Sequence, residues 1–193
     1  MARAAKKTAR ADAPAPARRS GLEGRAASHA WVGIAPLPPA RRLSLRAPRE
    51  SLPALSQALG LALPEGPATS TVAGGRVALW LGPDEWLVIE EGEGDPAAAI
   101  AGVTAFHSAV DISHRNVAIL VSGAGAEATL AAGCPRDLSP AAFPAGACAR
   151  TVLGKAEIVV WRTGVDAFRV ECWRSFGDYV ISFLAEAARD AGV

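Results

Sequence analysis

The chain has 193 residues, half of them hydrophobic, with a formal net charge of +1. That is enough material to bury one substantial core, or two small interleaved halves. The total hides an asymmetry: residues 1–19 hold Arg3, Lys6, Lys7, Arg10, Arg18 and Arg19 against Asp12 alone, so subtracting that net +5 leaves the body near −4. A body without a basic field or interleaved stacking aromatics excludes a nucleic-acid reader, and no apolar run is long enough for a transmembrane helix.

In chain order, the Ala-, Pro- and Arg-rich residues 1–25 predict a disordered basic tail. They lack the apolar centre of a signal peptide, so a cytoplasmic location is expected. Residues 31–34 (WVGI) predict a short extended piece before Pro36, Pro38 and Pro39. Residues 42–46 (RLSLR) alternate as a half-buried strand does. Ser51 is placed to cap a helix carrying Leu52, Leu55 and Leu59, with Pro53 in its first turn and Gly60 as its stop.

Residues 76–81 (RVALWL) and 85–90 (EWLVIE) flank Gly82, Pro83 and Asp84, a hairpin pattern. Glu90, Glu91, Glu93 and Asp95 read as a solvated acidic loop, and Asp95 before Pro96 opens a short Ala-rich helix.

Residues 107–123 (HSAVDISHRNVAILVSG) organise the chain. Val117, Ile119 and Val121 alternate with Ala118 and Leu120, so both faces are apolar, as in an interior strand. Ahead of it, Asp111 and Ser113 supply acceptors for nearby backbone N–H groups, while His114 and Arg115 add a switchable and a fixed charge. A rigid turn feeding a buried strand explains Asp and Ser there; a polar cluster touching a ligand or partner is the other reading.

A helix over residues 125–132 follows. A second hairpin joins 148–153 to 156–162 across Gly154 and Lys155, and a further strand covers 167–173. On that strand Phe168, Val170 and Cys172 take one face; Arg169, Glu171 and Trp173 take the other, nominally solvated one. Ser175 and Asp178 have capping-box spacing, and Phe176, Tyr179, Val180, Phe183, Leu184, Ala187, Ala188 and Ala191 recur as the apolar face of a final amphipathic helix.

Gly82, Asp84, Trp86 and Val88 recur 82 residues later as Gly164, Asp166, Phe168 and Val170. Two hairpin-and-helix units predict a pseudo-symmetric α+β fold, an antiparallel sheet with helices on one face. The expected division is the tail, 1–25, and one domain over 26–193, made of interleaved halves at about 30–105 and 106–193.

Few standard chemical devices are present. Gly123-Ala124-Gly125 has too few glycines for a dinucleotide fingerprint. His29, His107 and His114 lie on separate segments without metal-ligand spacing. Cys134, Cys148 and Cys172 are odd in number and lack a C-x-x-C pair, which argues against disulfides and zinc and for buried thiols in a reducing compartment. His114 beside Cys148 or Ser113 is an available nucleophile arrangement, set against the commoner role of Cys as a small hydrophobe. Trp80, Trp86 and Trp161 read as core, and Trp173, among Arg162, Arg169 and Arg174, as an interface residue.

The order of DISHRNVAILVSG, GCPRDLSP, FPAGACARTVLGKAEIVVWR, FRVECWRSF and the final helix resembles the gamma subunit of heterotetrameric sarcosine oxidase over about residues 30–188. More distantly it is similar to the folate-binding domain of glycine-cleavage aminomethyltransferases, a resemblance that implies a two-lobed fold, in agreement with the repeat. The first resemblance implies a non-catalytic structural subunit beside alpha, beta and delta subunits. The complex it implies oxidises sarcosine to glycine, makes hydrogen peroxide and passes a one-carbon unit to tetrahydrofolate, giving 5,10-methylenetetrahydrofolate. FAD, FMN, NAD and zinc are implied for the other subunits and no cofactor for this chain.

The acidic pair of the aminomethyltransferases, laid over GKAEIVVWR without gaps, falls on Ala156 and Glu157. A methyl group neither accepts nor positions a proton, so in that register only Glu157 remains. The expected partner surface is Arg115, Arg169, Trp173 and Arg174. The competing reading is a stand-alone tetrahydrofolate-binding protein or aminomethyltransferase-like enzyme, with Asp111, His114 and Glu157 as its folate residues. An equivalent subunit of an N-methyl amino acid dehydrogenase and a free-standing interaction module are further alternatives.

Overall fold

A computed structural model describes residues 21–190 of the chain. In chain order the strands are β1 (Ala27–Ser28), β2 (Gly33–Pro36), β3 (Arg41–Arg46), β4 (Ser70–Ala73), β5 (Arg76–Gly82), β6 (Glu85–Glu90), β7 (Ser108–Asp111), β8 (Asn116–Ser122), β9 (Cys148–Leu153), β10 (Ala156–Gly164) and β11 (Ala167–Trp173). The helices are α1 (Leu52–Leu59), α2 (Pro96–Ile100), α3 (Ala126–Ala131) and α4 (Gly177–Asp190). The strands form two antiparallel sheets, in the orders β4-β5-β6-β3-β7 and β1-β2-β8-β11-β10-β9.

Both sheets repeat one unit. The run β3-α1-β4-β5-β6-α2 has the same order and pairing as β8-α3-β9-β10-β11-α4. Even the hairpin irregularities correspond: the register shifts between Trp80 and Gly82 in one and between Arg162 and Gly164 in the other, 82 residues on in each case. The strand that precedes each run is exchanged. β2 precedes β3 but pairs with β8, and β7 precedes β8 but pairs with β3.

Alternation along the strands decides what each face meets. On the outer face of the first sheet, Leu43, Leu45, Ala78, Trp86 and Val88 pack against Leu52, Leu55 and Leu59 of α1 and Ile100 of α2. On the outer face of the second, Ile119, Val121, Val160, Phe168 and Val170 pack against Leu130 of α3 and Val180, Ile181 and Leu184 of α4. Between the sheets Val77, Leu79, Leu87 and Ile89 meet Cys148 and Val159. The layers therefore run helix, sheet, sheet, helix, and each sheet has its helices on one face.

Asp95 caps α2 as its position before Pro96 predicts, accepting the N–H groups of Ala97 and Ala98 at 3.0 and 3.2 Å. Gly60 ends α1 at φ 63°, a left-handed conformation that suits glycine. Ser51 does not cap; its hydroxyl donates to the Phe106 carbonyl at 2.8 Å.

Two expectations for α4 need correction. The capping box does not form, because Ser175 lies inside a 3-10 turn, Arg174–Phe176, and the Asp178 carboxylate takes Arg25 at 2.6 Å. The buried face is Gly177, Val180, Ile181, Leu184 and Ala188, whereas Phe176 and Tyr179 are exposed. The helix packs through Gly177, where a Cβ would come within 3.1 Å of Leu22 and 3.2 Å of Val117, and that close approach turns 176 and 179 outward.

Leu22 belongs to this core, although residues 21–25 fall in the stretch read from composition as a basic tail. Its one large apolar side chain, among small and charged neighbours, finds a slot between Gly177 and Val117. Residues 1–20 of that stretch lie outside the described residues.

Candidate functional site

Arg42 and Ser44 alternate with Leu43 and Leu45 on β3, so they face the second sheet rather than the helices. On β11, Arg169 and Glu171 likewise face the first sheet. They are 2% and 1% exposed, which corrects the solvated face expected for them. The Glu171 carboxylate accepts from Arg42 Nε at 2.6 Å and Nη2 at 3.1 Å, and from Arg169 Nε at 2.8 Å. Arg169 also pairs with Glu91, and its Nη2 is buried without a hydrogen-bond partner among the described residues.

The acidic loop is accordingly not a free solvated turn. Glu90 is buried against Arg76, Glu91 reaches Arg169, and Asp95 pairs with Arg41. Buried arginines on one strand edge recruit the carboxylates of the other, since an unpaired buried charge is costly.

At one end the sheets part to leave a cleft lined by Ser44, Glu85, Arg115, Glu157, Glu171 and Trp173, among others. Its enclosed space admits only a few water molecules. Glu157 is exposed on β10 and adjacent Ala156 is buried, so the two positions point to opposite faces. Asp111 and His114 are exposed on the β7–β8 turn and do not line the cleft.

That turn has the chemistry its sequence suggests. Asp111 Oδ1 accepts the Ser113 N–H at 2.8 Å, and Ser113 Oγ accepts the Arg42 N–H at 2.9 Å. The knot thereby fixes β8 to β3. Arg115 follows, its guanidinium 5.3 Å from the centre of the Trp173 ring, and its carbonyl accepts the Arg174 N–H at 2.7 Å. Register brings Arg115, Trp173 and Arg174 together, because Trp173 pairs with Asn116 across β8 and β11. Trp173 and Arg174 are exposed.

Trp86 is buried and donates to the Pro64 carbonyl at 2.7 Å, while Trp80 and Trp161 are partly buried against the core. Trp31, read from sequence only as the start of the extended piece 31–34, is 53% exposed. The Arg42–Glu171 pair escaped sequence reading. Its signal was charge at alternate positions of two otherwise apolar strands, Arg42 on β3 and Arg169 and Glu171 on β11.

Nucleophilic and metal chemistry find little footing. The Cys148 thiol donates to the carbonyls of Thr69 and Trp80, and burial pushes it up to about 11. Burial, with Glu171 beside it, pushes Cys172 up to about 12. Thiols held protonated are poor nucleophiles and poor ligands. Among the described residues no cluster of His, Cys, Asp and Glu is placed to hold a metal ion. At Gly123-Ala124-Gly125 the Gly125 N–H donates to the Trp31 carbonyl at 2.9 Å, and a Cβ on Gly123 would collide with that same oxygen, so residues 31–32 fill the space a phosphate would need.

Residues 47–190 match the model of the sarcosine oxidase, gamma subunit family. The chain is 35% identical over 141 residues to the sarcosine oxidase subunit gamma of Arthrobacter sp, covering 69% of this chain and 68% of that protein. It is 32% identical over 139 residues to the subunit gamma of Corynebacterium sp. (strain P-1), with the same coverage of 69% and 68%.

Among solved structures, a chain of the heterotetrameric sarcosine oxidase from Corynebacterium sp. U-96, in complex with pyrrole 2-carboxylate, superposes with a TM-score of 0.83 at 25% identity, covering 91% of this chain and 97% of that one. The glycine cleavage system aminomethyltransferase T from Bartonella henselae shares the fold, with a TM-score of 0.57 at 12% identity, over 83% of this chain and 50% of that one. A family match across three quarters of the sequence and a structural likeness spanning nearly the whole of both chains make this chain a member of the sarcosine oxidase, gamma subunit family.

Proposed function

We propose that this chain is the structural, non-catalytic gamma subunit of a heterotetrameric sarcosine oxidase, assembled with alpha, beta and delta subunits in the cytoplasm. The observation that carries this reading is the near-complete likeness to a chain of such a heterotetramer, with a TM-score of 0.83. The complex demethylates sarcosine to glycine, yields hydrogen peroxide, and hands the one-carbon unit to tetrahydrofolate as 5,10-methylenetetrahydrofolate. FAD, FMN, NAD and zinc belong to the other subunits.

The chemistry of this chain supports a supporting role. Its Cys148 and Cys172 thiols are held protonated, its inner carboxylates are committed to arginines, and the cleft between the sheets takes only a few waters. Three free buried cysteines suit a reducing compartment, and no described helix is long and apolar enough to cross a membrane. Residues 26–193 form one domain of two interleaved halves, a reading supported by the exchange of β2 and β7.

Co-purification tests the proposal. This chain, tagged in its native host, is expected to bring down three further polypeptides in fixed ratio, with flavin absorbance. A colourless monomer that binds tetrahydrofolate would overturn it, and would return attention to Asp111, His114 and Glu157.

A further inference from the structure

The face around the junction of β11 and α4 carries arginines whose charge is not balanced by a carboxylate among the described residues, although Arg115 Nε donates to Asn116 Oδ1 at 3.2 Å. Ten of the described arginines have a carboxylate partner; Arg115, Arg136 and Arg174 have none among the described residues. Two of those three flank Trp173, tied together by the hydrogen bond from Arg174 N–H to the Arg115 carbonyl. Glu157, on another part of the cleft wall, forms an ion pair with neither.

Beside these cations runs a ribbon of aromatic rings. Trp173, Phe176 and Tyr179 are 43%, 40% and 38% exposed, spaced three residues apart through the 3-10 turn into α4. The Trp173 and Phe176 rings lie 6.4 Å apart. Exposed aromatics clustered with arginine are the composition of a protein–protein anchor.

We propose that this face docks an acidic segment of another subunit of the complex. A carboxylate of that segment pairs with Arg115 and Arg174, and an apolar side chain lies on Trp173 and Phe176. The inference rests on the subunit reading above and adds to it the surface and the chemistry of the partner. Arg169, expected at the interface from sequence, is committed between the sheets and does not form part of this face.

The test uses the whole complex, isolated through a tag on this chain. The double variant Arg115→Glu/Arg174→Glu, and separately Trp173→Ala, are expected to lower retained flavin per tagged chain about tenfold or more at moderate salt. Arg49→Glu, on the α1 side, is expected to retain the wild-type amount. A photo-crosslinking p-benzoylphenylalanine introduced at position 173 gives a readout independent of variant folding. Its crosslink is expected on another subunit, in a peptide rich in Asp or Glu.

Wild-type retention by the double variant would overturn the docking proposal while leaving the subunit reading intact. So would a crosslink within this chain or to a second copy of it, or the absence of any crosslink in an assembled complex. A wild-type chain that retains no flavoprotein would overturn the subunit reading and the docking proposal with it.

Discussion

The Arg42 guanidinium, on β3, forks onto the Glu171 carboxylate, on β11, at 2.6 and 3.1 Å, with both side chains almost wholly buried. Arg42 also donates to the Ala40 carbonyl at 2.9 Å, and Arg169 adds a second cation to Glu171. The charges alternate as Arg42, Glu171, Arg169 and Glu91, and each link but the middle one crosses from one repeat unit to the other. Such a pair contributes less net stability than its Coulomb attraction suggests, but it enforces one alignment of the two sheets.

Breaking this pair from the acidic side is therefore expected to be severe. Glu171→Ala leaves two arginines without their shared carboxylate, at a cost of about 3–5 kcal/mol. Urea denaturation measures it. A midpoint within error of wild type would contradict the role assigned to Glu171.

The thiols supply a pH dependence. Burial raises Cys148 to about 11 and Cys172 to about 12, so the folded chain keeps their protons where the unfolded chain loses them. The unfolded state then binds fewer protons above the ordinary thiol value, and stability falls as pH rises. This contribution is whole below about pH 9 and lost by about pH 11 to 12. Replacing Cys148 and Cys172 by Ala is expected to flatten the alkaline limb of the stability profile. In the native protein both thiols should resist a disulfide reagent at neutral pH and react on unfolding.

Gly123 stands at the end of β8 with φ 113°, its N–H donating to the Asp166 carbonyl at 2.8 Å. Gly123→Ala forces a side chain into an unfavourable backbone region, at about 1–3 kcal/mol, and drives its Cβ against the Trp31 carbonyl. Loss of soluble protein, or a thermal midpoint lowered by several degrees, is the expected result. Gly102→Ala, where nothing lies within 4 Å of the added Cβ, serves as the tolerant control.

Asp95 separates two small effects. Its carboxylate caps α2 and pairs with Arg41 at a half-exposed position. Removing the cap with Asp95→Ala is expected to cost about 1 kcal/mol, whereas Asp95→Asn keeps a capping oxygen and loses only a surface ion pair worth about 0–1 kcal/mol. Equal losses in the two variants would assign the stabilisation to Arg41 instead.

Alternation and turn residues made the strands legible. The hairpin over 148–153 and 156–162 appears as β9 and β10, with β10 running two residues further to Gly164. Gly60 and Asp95 end and begin their helices as their chemistry requires. Period two, however, separates the faces of a strand without saying what covers each. Arg169 and Glu171 fell on the face opposite Phe168 and Val170, and the face read as solvated is the one the first sheet covers.

Helical period was similarly incomplete for α4. Phe176, Tyr179, Val180 and Leu184 all fit one apolar arc, but contact through Gly177 placed only the last two inside. Among the site residues, the Asp111–Ser113 turn was readable because its hydrogen bonds are local. The grouping of Arg115 with Trp173 and Arg174 depends on residues about 58 apart in sequence and so was open to suggestion only through composition.

By itself the sequence determined the element order, the repeat at 82 residues, the free thiols and the likeness to its family, because these rest on local backbone chemistry and on residue identity in order. Tertiary structure alone decided that β2 and β7 are exchanged, that Arg42 and Glu171 meet, and that the aromatic edge of α4 is left in water. Those outcomes depend on which face meets which across long separations, where burial of apolar surface and pairing of buried charge choose one packing among several that local patterns allow.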